Sequence, residues 1–170
     1  SFAEERNLPF QIHAAQSVTE FHEMFRRPGK TPIRWLHYIG ALGSHSIIGH
    51  GIFSTITPGY LDDVEDLDLL AETGTTVAHC PTVFLRRGIT LRTFSTYVRA
   101  GVNLGIGTDT YPHNFLEEMR SAANHARTIA ETVDDLETLD IFNAATSGGA
   151  RALRLDDIDR LAPGAKADLV

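Results

Sequence analysis

Short apolar runs alternate with longer amphipathic stretches along most of the chain. Four such runs lie in "PFQIHA", "SIIGHG", "TTVAHC" and "VNLGIGTD", and the residues after each one carry apolar positions at helical spacing. This alternation is typical of repeated βα units, in which parallel strands form a sheet covered by helices. The pattern therefore predicts an α/β fold.

Helix boundaries follow from the same pattern and from capping residues. Gly74 is suited to end a helix that begins near Leu61, and Asn114 is suited to begin the helix "FLEEMRSAANHARTIA". A turn is expected at "TPGY", and the final letters "ADLV" are typical of the start of a further strand. Other helices are predicted at about 17–26, 31–42, 91–101 and 136–146, and the stretch "SGGARAL" follows the last of them.

Composition limits the class of protein. With 170 residues, 42% of them hydrophobic, the chain is long enough for one globular domain or a piece of one. A net charge of -7 without a run of basic residues longer than a pair argues against a nucleic-acid partner. No apolar run approaches the roughly 20 residues that span a bilayer, and "SFAEERNLPF" lacks a signal-peptide layout. One cysteine, Cys80, excludes an internal disulfide and favours a cytoplasmic location.

Side chains with metal-binding chemistry follow the predicted strands. His13, His50, His79 and Asp109 each stand at or just beyond the C-terminal end of one strand. They are separated by 37 residues (13 to 50), 29 (50 to 79) and 30 (79 to 109), about one βα unit each time. Parallel α/β folds bind ligands at this edge of the sheet. The four side chains are therefore expected to meet at one site.

Each of these residues also has a structural reading. A histidine at a strand end is commonly a hydrogen-bonded structural residue, and Asp109 in "GTDT" could be a turn or capping residue. Their joint placement favours the functional reading. For the other five histidines the structural reading is kept; they are His22, His37, His45, His113 and His125. Of these, His22 and His113 are second choices for the site.

Imidazoles together with one carboxylate form a suitable ligand set for a divalent metal ion, with zinc expected and iron as the alternative. Such a metal lowers the pKa of water, and Asp109 is suited both to bind the metal and to take the proton. A histidine near the metal could instead polarise a carbonyl group. We therefore expect a metal-dependent site for a small-molecule substrate.

Five stretches closely resemble, in order, the second half of enzymes of the amidohydrolase superfamily, and above all its chlorohydrolase and aminohydrolase branch. They are "QIHAAQ", "IIGHGIF", "LAETGTTVAHCPT", "GVNLGIGTDT" and "ATSGGARAL…DRLAPGAKADLV". The resemblance implies the C-terminal half of a (β/α)8 TIM barrel, strands five to eight, over residues 1–155. It further implies the start of a small β-sandwich domain at 156–170, and hydrolysis of a C–N or C–Cl bond by metal-activated water.

The resemblance also implies roles for the residues at the strand ends. His13 matches a metal-binding histidine, and His50 matches one that binds metal or acts on the substrate. Asp109 matches the aspartate that binds metal and serves as a base for the attacking water. His79 falls in an "HCP" motif that lines the substrate pocket in relatives.

Gln16 departs from the family pattern. Deaminase-like relatives carry glutamate three residues after the first of these histidines, where it moves a proton to the substrate ring. Glutamine can hydrogen-bond a substrate but cannot exchange a proton, so Gln16 is a predicted substrate-binding residue that argues against ring deamination. Glu20, one helical turn further on, is expected on a solvated helix face, with replacement of the missing glutamate as the alternative.

The residues after "HCP" depart as well. Phe84 and the pair Arg86-Arg87 stand where relatives carry small and amide residues. Phe84 is predicted to bind substrate. The arginine pair favours either an anionic substrate group or a solvated surface.

Two further metal ligands of the family lie in a His-x-His motif, which this sequence does not contain. Half a barrel exposes the edges of its sheet, so we expect a homo-oligomer or a complex with a partner half-barrel, and little activity alone. Two other functions stay open at this point: an α/β ligand-binding domain without metal, and a non-catalytic half-barrel with a role in assembly.

Overall fold

The strands form a parallel sheet in chain order. The computed structural model describes residues 2–55, 65–89, 91 and 94–166. Its strands are β1 (Phe10–Ala14), β2 (Ser46–His50), β3 (Thr76–His79) and β4 (Asn103–Ile106). They are hydrogen-bonded in the order β1-β2-β3-β4, and each neighbouring pair is parallel. The prediction of four parallel strands is confirmed.

Nine helices cover the sheet within the described ranges. They are α1 (Phe2–Glu5), α2 (Val18–Arg26), α3 (Pro32–Tyr38), α4 (Glu65–Thr73), α5 (Pro81–Leu85), α6 (Phe94–Arg99), α7 (Phe115–Ala130), α8 (Thr138–Ala145) and α9 (Ser147–Leu153). The sequence pattern does not predict α1 or α5, because one helical turn is too short to show a period. The turn predicted at "TPGY", the first four residues of the helix predicted at 61–74, and "ADLV" lie outside the described residues.

Polar side chains begin three of the helices. In each case a side-chain oxygen accepts a hydrogen bond from a backbone N–H that the first helical turn leaves unpaired. These pairs are Ser17 with Glu20, Thr31 with Arg34, and Asn114 with Glu117. The cap predicted at Asn114 is therefore confirmed, and so is the end of α4 at Gly74, whose φ is 70°.

The apolar core lies between the sheet and its helices. Every residue of β2 is buried, and Val77 and Leu104 are buried on the next two strands. The helices contribute Ile33, Leu36, Leu67, Leu70 and Phe94 to the same cluster. Helix α9 approaches β4 so closely that a Cβ at Gly148 would lie 1.9 Å from the Leu104 carbonyl oxygen, so only glycine fits there. This packing fixes the sheet and thereby the positions of the strand ends.

None of the helices in the described ranges is both long and apolar enough to cross a bilayer.

Candidate active site at the carboxyl edge of the sheet

The carboxyl edge of the sheet carries the four residues selected by the strand pattern. His13 is the penultimate residue of β1, His50 and His79 are the last residues of β2 and β3, and Asp109 lies three residues beyond Ile106 at the end of β4. Because the strands are parallel, all four lie at the same edge. The side-chain geometry decides which of them meet.

The rings of His13 and His50 are stacked. Their centroids are 5.0 Å apart and their planes differ by 8°. In the sheet register His13 stands opposite Gly49, and a Cβ at that glycine would lie 2.7 Å from His13 Cδ2. Glycine at position 49 therefore leaves the space in which the His13 ring lies beside His50.

His50 also approaches the carboxylate of Asp109. The distance from His50 Nε2 to Asp109 Oδ2 is 3.8 Å, which is too long for a hydrogen bond. The His50 side chain is 2% exposed, whereas that of Asp109 is 43% exposed. Both residues adopt left-handed backbone conformations, with φ of 82° and 45°. Such conformations are uncommon outside glycine and are concentrated at functional sites.

Burial favours the neutral form of His50. It lowers the pKa of His50 below its usual value; Asp109 opposes this effect and His13 adds to it. The Nδ1 atom of His50 is buried and has no hydrogen-bond partner among the described residues. A neutral imidazole offers a lone pair to a cation, and a buried nitrogen without a partner costs free energy. His50 is therefore suited to bind a positively charged ligand.

The donor chemistry of this group fits zinc, because zinc binds histidine nitrogen and carboxylate oxygen. Across the part of the chain that the structure describes, however, no three His, Cys, Asp or Glu side chains are arranged to hold a metal ion. The structure therefore brings His13 close to His50, and His50 close to Asp109, without arranging the three side chains as a metal site.

His79 lies beneath the same edge. Its side chain is 3% exposed, and its ring centroid is 5.9 Å from that of Phe94. Burial lowers the pKa of His79 to about 3, with smaller effects from His50 and His125. His79 is therefore neutral at pH 7 and shielded from solvent within this chain.

Glu20 has a different role from the one predicted. Its Oε1 accepts the backbone N–H of Ala15 at 2.9 Å, and its Oε2 accepts that of Gln16 at 2.8 Å. The prediction of a solvated helix face is wrong, because the carboxylate turns back to bind the loop after β1. It holds that loop where Ala15 adopts a φ of 54°. The "SVTE" stretch has the S-x-x-E signature of a capping box, and this signal could have indicated a back-turned carboxylate.

Helix α5 carries Phe84, and the arginine pair follows its C-terminal end. The Phe84 side chain is 3% exposed and its ring meets His50 edge to face, with centroids 4.6 Å apart. Arg87 lies over the Phe84 ring at 6.0 Å. Arg86 Nη1 donates hydrogen bonds to the Tyr111 carbonyl oxygen at 3.1 Å and to Thr110 Oγ1 at 3.4 Å. One side of α5 therefore contacts His50, and its C-terminal end contacts the loop that bears Asp109.

Tyr97 on α6 is a further contributor that the sequence does not indicate. Its hydroxyl donates to the Gly51 carbonyl oxygen at 2.6 Å and contacts Ser54 Oγ at 3.2 Å. Gly51 follows His50 directly, so this buried hydroxyl supports the left-handed turn at His50. No local sequence signal could reveal the contact, because 46 residues separate Tyr97 from Gly51.

The remaining histidines occupy other positions in the fold. Three lie on helices α2, α3 and α7, one precedes β2 at the opposite edge of the sheet, and one is exposed in the loop after Asp109. In that order they are His22, His37, His125, His45 and His113. His113 is the second-choice residue that lies at the carboxyl edge.

The fold is shared with solved hydrolase structures. An adenosine deaminase from Xanthomonas campestris with bound zinc has a TM-score of 0.86 and 29% identity, over 98% of this chain and 37% of that one. An atrazine chlorohydrolase from Arthrobacter aurescens complexed with zinc has a TM-score of 0.82 over 98% and 36%; its 22% identity supports the fold alone. The predicted fold class, part of a (β/α)8 barrel with parallel strands and flanking helices, is confirmed.

Sequence comparison identifies the family. A family model described as "Amidohydrolase family" matches residues 1–170, and the chain belongs to this family. The 5-methylthioadenosine/S-adenosylhomocysteine deaminase of Thermococcus kodakarensis is 35% identical over 160 residues, which are 91% of this chain and 35% of that protein. The 5'-deoxyadenosine deaminase of Methanothermobacter thermautotrophicus is 30% identical over 100% of this chain and 39% of that protein. The chain thus spans little more than a third of the length of these relatives.

Proposed function

We propose that the chain is part of a metal-dependent hydrolase that attacks a C–N bond of a small molecule with activated water. The observation that carries the proposal is the arrangement of a buried, neutral His50 stacked on His13 and 3.8 Å from the Asp109 carboxylate. Membership of the amidohydrolase family and the deaminase relatives support it. Hydrolysis of a C–Cl bond is the second reaction that the family resemblance allows.

His13, His50 and Asp109 have different proposed roles in metal binding and proton transfer. His13, His50 and Asp109 would hold the metal, for which zinc is the first choice and iron the alternative. Bound zinc supplies a Lewis acid that eases the deprotonation of water. Asp109 is partly exposed, so its carboxylate can accept the proton of the attacking water and return it to the leaving group. As the alternative to binding the metal, neutral His50 can donate a hydrogen bond as negative charge develops on the substrate.

Gln16 restricts the reaction. The Glu20 carboxylate already accepts two backbone N–H groups, so it is engaged and does not replace the glutamate that deaminase-like relatives carry at position 16. We assign Gln16 to substrate binding through its amide, with proton transfer left to Asp109. We also keep His79 and Phe84 as proposed substrate-pocket residues, both of which are buried within this chain. Amides and amidines are the substrates that this arrangement favours, and amino-heterocycles stay open only for a reaction in which position 16 transfers no proton.

The remaining metal ligands would come from a polypeptide segment that supplies the other strands of the barrel. The family resemblance places them in a His-x-His motif, which the 170 residues do not contain. We therefore propose little activity for this chain alone, and association with a second copy or a partner half-barrel. The division at residues 155 and 156 between barrel and β-sandwich stays a prediction.

Metal binding and turnover test the proposal in two preparations. The first is the 170-residue chain, and the second is the same chain combined with the N-terminal part of the Thermococcus kodakarensis relative. Zinc content is measured in both, together with release of ammonia from amino-purine nucleosides and of chloride from a chlorotriazine. We expect zinc binding that His50→Ala weakens, and turnover in the second preparation. Absence of zinc from both preparations would contradict a metal-dependent hydrolase and favour a metal-free ligand-binding domain.

A further inference from the structure

We propose that Glu118, on helix α7, positions the candidate site by fastening helix α5, which contacts both His50 and the loop of Asp109. The inference rests on the proposed function for its catalytic meaning. The contacts behind it are independent of any metal or substrate.

Helix α5 needs a cap from outside its own segment. It begins with Pro81, which has no backbone N–H, and the Cys80 side chain at its N-cap makes no capping hydrogen bond. The Thr82 N–H therefore has no partner within the helix. Glu118 Oε2 accepts this N–H at 3.0 Å, from a residue 36 positions later in the chain.

Burial gives this contact its importance. Glu118 is 1% exposed, although its neighbour Glu117 on the same helix is exposed. A buried carboxylate is costly unless hydrogen bonds satisfy it, so the Thr82 N–H and Glu118 stabilise each other. The hydrogen bond thus fixes the N-terminus of α5 against α7.

Helix α5 and its C-cap contact both His50 and the loop that follows Asp109. The Phe84 ring packs edge to face on His50 at 4.6 Å. Two residues after Phe84, at the C-cap of α5, Arg86 donates a hydrogen bond at 3.1 Å to the carbonyl oxygen of Tyr111, which is two residues after Asp109. A shift of α5 would therefore displace a packing surface of His50 and an anchor of the Asp109 loop at the same time. A misplacement of reacting groups by about 1 Å can lower the rate on the order of 100-fold. Such a shift of α5 would therefore lower the turnover rate.

The test uses NMR of the isotope-labelled 170-residue chain, with no metal or substrate added. Three variants are compared with the parent chain: Glu118→Ala, Glu118→Gln and, as the matched control, Glu117→Ala. We expect Glu118→Ala to shift the His50 ring signals and the Thr110 and Tyr111 amides, and to speed hydrogen exchange of the Thr82 amide at least tenfold. Glu118→Gln keeps an acceptor oxygen and should restore the parent signals, and Glu117→Ala should leave them unchanged.

A second measurement tests whether the effects of substituting Glu118 and Arg86 depend on each other. If Glu118 acts through α5, the signal shifts of Glu118→Ala and Arg86→Ala at Tyr111 should combine non-additively in the double variant. Should Glu118→Ala not fold, Glu118→Asp keeps the charge and withdraws the carboxylate by one methylene group, and it should shift the same signals.

The inference is overturned if the His50, Thr110 and Tyr111 signals of Glu118→Ala and Glu118→Asp match those of the parent, or if Glu117→Ala shifts them equally. Failure of the proposed function has a different signature. It would appear as missing zinc and missing turnover while the NMR coupling between Glu118 and His50 persists.

Discussion

The four residues at the carboxyl edge of the sheet divide into an edge pair and a central pair. The edge pair, His13 and Asp109, belongs to β1 and to the loop after β4, and both residues are exposed. The central pair, His50 and His79, ends β2 and β3 and is 2% and 3% exposed. A side chain on a central strand has neighbours on both sides, whereas one on an outer strand of the described sheet has them on one side. Strand order therefore places similar chemical groups in two different environments.

Because of this difference, substitutions in the edge pair and in the central pair should have different effects on the reaction rate and on the stability of the fold. The edge pair is accessible to water and to a substrate, so changes there should affect the reaction more than the fold. The central pair is embedded in the packing, so changes there should affect folding as well. Four measurements test this division, and they run from the largest expected effect to the smallest.

Asp109→Asn should abolish turnover in the preparation that combines this chain with the N-terminal part of the relative. The loss should be at least about 1,000-fold, because the amide cannot accept the proton of water. Asparagine tolerates a left-handed backbone conformation such as the φ of 45° found here, so the melting temperature should stay close to that of the parent. Steady-state kinetics and thermal unfolding provide the two measurements, with Asp134→Asn as a control at an exposed loop position. Turnover that persists in Asp109→Asn would remove this residue from the mechanism.

Gln16→Glu should raise ammonia release from an amino-heterocycle by about 100-fold, because it introduces a carboxylate that can exchange a proton three residues after His13. Gln11→Glu, at an exposed position of β1, is the control and should change little. An unchanged rate in Gln16→Glu would mean that position 16 lies beyond reach of proton transfer to the substrate.

Glu20→Ala should lower the free energy of unfolding by about 1 to 2 kcal/mol, because the Ala15 and Gln16 N–H groups both lose their acceptor. Urea unfolding of the 170-residue chain measures the loss. Glu72→Ala, at an exposed position of α4, should stay within about 0.5 kcal/mol of the parent. Equal stabilities of the two variants would show that the loop after β1 does not depend on Glu20.

His79 should make stability depend on pH. Its pKa is about 3 in the folded chain, against an ordinary value of 6.5, so below pH 6.5 the unfolded chain binds a proton that the folded chain does not. Its contribution to stability is therefore complete above pH 6.5 and decreases as the pH falls toward 3, by up to about 1.4 kcal/mol per pH unit.

Urea unfolding at several pH values between 7 and 5 measures this slope. The slope should diminish in His79→Gln and persist in His113→Gln, which changes an exposed histidine. The same slope in the parent and in His79→Gln would show that His79 is not the group responsible.

The outcome at individual residues shows what kind of information the sequence contains. His13, His50, His79 and Asp109 were predictable as strand-end residues because a strand and its end are local features, visible as an apolar run followed by polar residues. Glu20 had a recognisable local signal in "SVTE", but the prediction of a solvated helix face overlooked it. Helix α5 gave no period because it is a single turn, although Pro81 after Cys80 marks a helix start.

The sequence by itself determined the parallel α/β architecture, the order of the chemical groups along the chain and the glutamine at position 16. Only the tertiary structure decided which of those groups are buried, how His50 stacks on His13, and that α5 lies between Glu118 and the candidate site. The physical reason is the range of the interactions. Periodicity and capping act within a few residues, whereas burial and side-chain contacts depend on strands and helices brought together from positions 24 to 46 residues apart, as for Arg86 with Thr110 and Tyr97 with Gly51.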